Sequence, residues 1–103
     1  MSIELVDRYF ALAPSHDREA YFALFADDAI ALDDGHTYVG IEAIRSWRAE
    51  VPPVTYTRTD VSEVDGRLVA TADIAGDFPG SPVALRFAFE FDDGVITRLV
   101  ISP

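Results

Sequence analysis

Hydrophobic and polar positions along the chain fall into two regimes that meet at Pro52-Pro53. Before the prolines, apolar residues recur mostly at helical spacing. Leu5, Val6, Tyr9, Phe10, Leu12 and Ala13 predict a first helix behind an N-cap at Ser2, with Glu4 and Arg8 spaced for an i,i+4 ion pair and Pro14 as its stop. A second cap, Ser15 or Asp17, opens a short helix through Ala20, Tyr21, Ala23, Leu24 and Phe25 that halts at Asp27 and Asp28. Ala29 to Leu32 predicts a short strand, turned by Asp33-Asp34-Gly35 and paired with Thr37 to Val39. After Gly40 comes a third helix, Ile41 to Glu50, with Ile41, Ile44 and Trp47 on one face.

Beyond Pro53 the period becomes two. Strands are predicted over 54–64, 67–77, 83–91 and 95–102, separated by Asp65-Gly66, by Phe78-Pro79-Gly80-Ser81-Pro82 and by Asp92-Asp93-Gly94. The third alternates most clearly, with Val83, Leu85, Phe87, Phe89 and Phe91 on one face and Ala84, Arg86, Ala88 and Glu90 on the other. Connections this short imply an antiparallel meander. Helices gathered toward the amino end and strands after them make an α+β domain, with the helices on one face of a curved sheet.

Composition narrows the function more than the fold. In 103 residues, half are hydrophobic, enough for one core that buries roughly 60 to 65% of the chain's accessible surface. A net charge of −10, with 8 arginines and no lysine, excludes the clustered basic patch that nucleic acid or an anionic membrane requires. With no cysteine there is no disulfide, thiolate metal site or cysteine nucleophile. With no asparagine or glutamine, no side-chain amide can orient a water or donate to an oxyanion. Charged residues at Glu4, Asp7 and Arg8 break up the amino end, so no signal peptide is expected and the expected address is the cytoplasm.

The order of elements, the stretch Tyr21-Phe22-Ala23-Leu24-Phe25-Ala26-Asp27-Asp28-Ala29, the helix start Gly40-Ile41-Glu42-Ala43-Ile44-Arg45 and the closing Asp93-Gly94-Val95-Ile96 together resemble the nuclear transport factor 2-like superfamily. That superfamily includes SnoaL-like polyketide cyclases and ketosteroid isomerases. The resemblance implies a single SnoaL-like domain over residues 1–103 with a cone-shaped, cystatin-like fold. In that fold, three N-terminal helices pack on a curved, mainly antiparallel sheet. It leaves function open, because one scaffold carries isomerases, cyclases, dehydratases, hydrolases and non-catalytic binding modules.

Similarity to ketosteroid isomerase places Asp33 where that family has its carboxylate base and Tyr9 where it has the phenol that donates to the substrate oxyanion. The position of the second oxyanion donor is occupied by Phe87. Dehydratases of this fold use histidines on the sheet, whereas His16 and His36 both precede residue 40. Epoxide hydrolases of the fold use an asparagine to hold water, and this chain has none.

A base at the mouth of an apolar cavity gains basicity by desolvation. Taken without the resemblance, Asp33 belongs to ordinary turn chemistry and Tyr9 is a core tyrosine on an amphipathic helix. Trp47, Phe87, Phe89 and Leu99, with Ala70, Ala72 and Ile74 beside them, are expected to line the concave face. They form a binding site there if a void is left and plain core if not. Arg58 either turns inward to Asp33 or a carboxylate ligand, or lies on the solvated face. His36 with Asp33 and Asp34 is a poor metal set, since three ligands within one turn seldom converge.

No metal and no cofactor is implied. The expected partner is a lipophilic small molecule, bound either by a proton-transfer enzyme or by a non-catalytic module. The outer sheet face, with Ala84, Arg86, Ala88, Glu90, Arg98 and Val100, is expected to form a homodimer, as it commonly does in the superfamily.

Overall fold

A computed structural model describes residues 3–103, so the Ser2 cap lies outside the described residues. Helix α1 (Ile3–Leu12) buries Leu5, Val6 and Tyr9. Among the described residues, Glu4 and Arg8 form no ion pair with each other. Instead, Asp7 on the same helix holds Arg58 at 2.6 Å. Helix α2 (Arg18–Phe22) is capped by Asp17, whose side chain accepts from the Ala20 N–H at 3.1 Å.

Helix α2 ends three residues before the predicted Phe25, because Phe25 already belongs to a strand and pairs with Ile96. Strand β1 is accordingly longer than expected, running Phe25–Asp33 rather than 29–32. It turns back into β2 (His36–Val39). Helix α3 (Ile41–Glu50) follows that hairpin. The expectation of three N-terminal helices is therefore corrected: two helices precede the first hairpin and the third comes after it.

The remaining strands are β3 (Val54–Val64), β4 (Arg67–Gly76), β5 (Val83–Asp92) and β6 (Val95–Ser102), each within a residue of the periodicity-based bounds. The sheet order is β2-β1-β6-β5-β4-β3. Every neighbouring pair is antiparallel except β1 with β6, which is parallel. Two-residue Asp-Gly loops at 34–35, 65–66 and 93–94 close three hairpins. Both residues of each loop have φ between 52° and 80°, as type I′ turns require. Register shifts in β1/β6, β3/β4 and β5/β6 insert extra residues that bend the strands and curve the sheet.

The inner face of the sheet carries the core. Ala70, Ala72 and Ile74 of β4, Phe87 and Phe89 of β5, and Ile96 and Leu99 of β6 are all buried against the helices. The ring of Tyr9 lies edge-on to Phe89 at 5.2 Å and tilted to Tyr21 at 5.4 Å. Such ring pairs add about 0.5–1.5 kcal/mol each beyond their buried area. Among the described residues, no helix is long and apolar enough to cross a membrane.

Candidate functional site

Beyond the aromatic core, the sheet and α3 diverge and leave between them a cavity of about 230 Å³ that opens to solvent. Its walls are chiefly apolar, with Val51, Val54, Ile74, Val83, Leu85 and Ile101 among them. Its residues with polar side-chain groups are Asp33, Trp47, Arg48 and Tyr56. An apolar cavity of about 150 Å³ holds benzene, so this space has room for one substituted ring.

Asp33 reaches this space through strand parity. Ala29 and Ala31 point inward and are fully buried, so Asp33, the last residue of β1, points inward as well. Trp47, on the buried face of α3, donates from Nε1 to Asp33 Oδ2 at 3.0 Å. The indole also stacks on Tyr38 at 5.7 Å and 23°. One carboxylate oxygen is thus fixed, while Oδ1 has no hydrogen-bond partner among the described residues.

Arg48 was not anticipated from the sequence, although its spacing from Ile44 puts it on the same buried helix face. It is only 4% exposed. One terminal nitrogen donates to the Ala13 carbonyl at 3.0 Å and to the Tyr56 hydroxyl at 3.4 Å. Its guanidinium carbon lies 4.7 Å from the centre of the Tyr21 ring and 5.3 Å from that of Trp47. Desolvation pulls its pKa down, but the phenols of Tyr21, Tyr9 and Tyr56 outweigh that and hold it above the ordinary arginine value.

The structure brings Asp33, Trp47, Ile74 and Phe87 together on the cavity wall. Ala72, Phe89 and Leu99 are fully buried core residues outside the lining. Tyr9 does not reach the cavity: it has no exposed surface, and Tyr21 donates to its hydroxyl at 3.1 Å. Burial pushes both phenols up, Tyr9 well above the usual tyrosine value and Tyr21 to about 12. Phe87, whose ring centre lies 6.1 Å from that of Tyr9, forms the cavity wall instead. Arg58 pairs with Asp7 of α1, not with Asp33. His36 is exposed, and among the described residues no group of three or more His, Cys, Asp or Glu is placed to hold a metal ion.

Solved structures of similar proteins share this architecture. A candidate polyketide cyclase from Sinorhizobium meliloti is 31% identical and superposes with a TM-score of 0.88, over 95% of this chain and 93% of its own. A protein from Sphaerobacter thermophilus is 25% identical with a TM-score of 0.84, over 98% and 94% of the two chains. A protein of ketosteroid isomerase-like fold from Catenulispora acidiphila, solved in complex with trimethylamine, is 22% identical with a TM-score of 0.82, over 100% and 87%. No curated protein gives a significant match. The SnoaL-like domain profile matches residues 6–99, nearly the whole chain, and the chain therefore belongs to the SnoaL-like family of the nuclear transport factor 2-like superfamily.

Proposed function

We propose that this protein binds a small lipophilic, carbonyl-bearing molecule in the cavity under α3 and that Asp33 takes a proton from the carbon next to the carbonyl. The observation that carries this reading is the Asp33–Trp47 hydrogen bond at the wall of a chiefly apolar space. A base must be held within hydrogen-bond reach of the proton it removes, and an indole N–H on one oxygen fixes the side chain while leaving the other oxygen available. The similar Sinorhizobium protein, a candidate polyketide cyclase, accords with it.

The test is deuterium exchange into small cyclic ketones in heavy water, followed by NMR. The wild-type protein should catalyse exchange at the carbon next to the carbonyl, and Asp33→Asn should abolish it without lowering the melting temperature. Ligand binding without exchange would favour the second reading, a non-catalytic binding module. Its supporting observation is that Tyr9, the expected donor, lies outside the cavity lining.

The same proposal includes a homodimer through the outer sheet face. Cross-strand register aligns Leu32, Val100, Ala88 and Val69 in a half-exposed apolar row across four strands. Glu90 beside it is shared by Arg67 at 3.6 Å and Arg98 at 3.5 Å. A row of this kind is the self-complementary patch a two-fold interface needs.

A further inference from the structure

The cavity under α3 has a neighbour. A second space of about 190 Å³ shares Arg48, Val51, Pro52, Val54 and Tyr56 with it, so Arg48 and Tyr56 stand in the common wall. The second space adds His16 and Arg18, and no Asp or Glu lines it, in a chain that carries 18 acids. The acid-free side of the wall thus holds two of the 8 arginines.

Arg48 itself is a buried charge without a counterion. Among the described residues, no carboxylate comes within 4.0 Å of it, and its Nε has no hydrogen-bond partner at all. Its compensation comes from one carbonyl, one phenol and two aromatic faces. Buried charges are normally paired, because removing an ion from water costs several kcal/mol that neutral dipoles only partly return. Buried N–H groups are normally satisfied too, and each exception calls for a ligand, a water or a strain. The Nε itself has no accessible surface, but the cation that owns it is among the residues lining an apolar, ring-sized cavity.

Resting on the cavity reading above, we infer that the ligand is an organic anion, a carboxylate on a single-ring or short-chain apolar body, with its body in the apolar cavity and its carboxylate on Arg48 and Tyr56. One terminal nitrogen is already committed to Ala13 and Tyr56, so the carboxylate is met by the guanidinium's positive charge, by its other terminal nitrogen and by the Tyr56 hydroxyl, which accepts from Arg48 and keeps its own proton to donate. Asp33 stands elsewhere on the same wall, tied to Trp47. Among the described residues no ion pair joins Asp33 to Arg48, and a ligand anchored by its carboxylate is oriented with respect to the carbonyl-adjacent carbon that Asp33 would deprotonate.

Calorimetric titration of the intact protein with benzoate, phenylacetate and hydrocinnamate, each against its neutral primary amide, decides the matter. The acids should bind about 10- to 100-fold more tightly than the amides, the range expected for a charge-assisted hydrogen bond to a buried partner. Arg48→Met should erase that preference while amide binding persists, and Arg48→Lys should keep part of it. Should the methionine variant fail to fold, the acid-to-amide ratio of the wild type and of Tyr56→Phe decides alone. Equal binding of acids and amides to the wild type would overturn the anion site and leave the cavity reading standing. Binding of neither class would overturn both.

Discussion

Trp47 Nε1 donates to Asp33 Oδ2 across 3.0 Å, joining the buried face of α3 to the last residue of β1. Trp47→Phe keeps the ring in its packing but removes the donor. We expect a stability loss of about 1–2 kcal/mol, because a partly buried carboxylate loses a partner. Ketone exchange should fall more than ligand affinity does, since the carboxylate is no longer held in place. An unchanged exchange rate in a folded Trp47→Phe protein would remove Asp33's orientation from the mechanism.

Cavity size sets a limit on ligands. A guest that fills about 230 Å³ is a single substituted ring, so one-ring compounds should raise the melting temperature and four-ring steroids should not. Leu85→Trp, which places an indole in the empty space, should weaken ring binding at least about tenfold while the fold is retained. Tight steroid binding in a thermal-shift series would contradict this.

Phe89 and Leu99 are buried in the core and outside the cavity lining, so we expect them to act through packing. Phe89→Ala should cost about 3–5 kcal/mol in urea unfolding, a large part of the total stability of a domain this size. At temperatures where the variant is still folded, its affinity for ring ligands should stay close to wild type. A selective loss of affinity with normal stability would place Phe89 in the binding site after all.

Alkaline pH should unfold the protein through the buried phenol pair. The folded chain keeps Tyr21 neutral up to about 12, above its ordinary value of 10.0, and Tyr9 shifts in the same direction. The stabilisation is complete below about pH 10 and declines as pH rises toward 12, because the unfolded chain releases these protons first. The slope is about 1.4 kcal/mol per pH unit for each phenol, and the hydrogen-bonded pair titrates together. Urea midpoints measured across that interval should fall steeply in the wild type and less so in Tyr21→Phe. A flat wild-type midpoint would refute it.

The proposed outer-face dimer is testable with a single charge. Val100→Arg places a cation in the middle of the apolar row formed with Leu32, Ala88 and Val69. Sedimentation velocity should show a dimer for the wild type and a monomer for the variant, with ligand affinity unchanged. A monomeric wild type at high concentration would end the proposal.

The strands after Pro53 were legible in the sequence because period-two alternation and Asp-Gly loops are local signals that the tertiary structure had no reason to override. Phe25 was misplaced for the opposite reason. Leu24 and Phe25 continue a helical spacing, and only the pairing of Phe25 with Ile96, far along the chain, makes it a strand. Asp33 was singled out through the similarity to ketosteroid isomerase, since its own neighbours read as a turn; β1 runs on to Asp33, and alternation from Ala29 and Ala31 points it inward. Tyr9 was placed on the right helix face, but periodicity cannot tell a residue that lines a void from one that fills it. Arg48 shared the face of Ile44 in plain spacing and was passed over, because a charged residue is ordinarily assigned to solvent.

The parallel β1–β6 pairing has a kinetic consequence. Each of the three Asp-Gly hairpins closes locally, whereas β1 meets β6 only after about seventy residues of intervening chain have been gathered in. The unit of β1, β2 and α3 should therefore dock late onto a preformed β3–β6 meander. Asp33 and Trp47 stand on the first side of that seam, and Ile74, Leu85 and Phe87 on the second. A bound guest touches both and acts as a clasp across the last joint to close. It should slow amide hydrogen exchange along β1 and β6 more than anywhere else in the sheet.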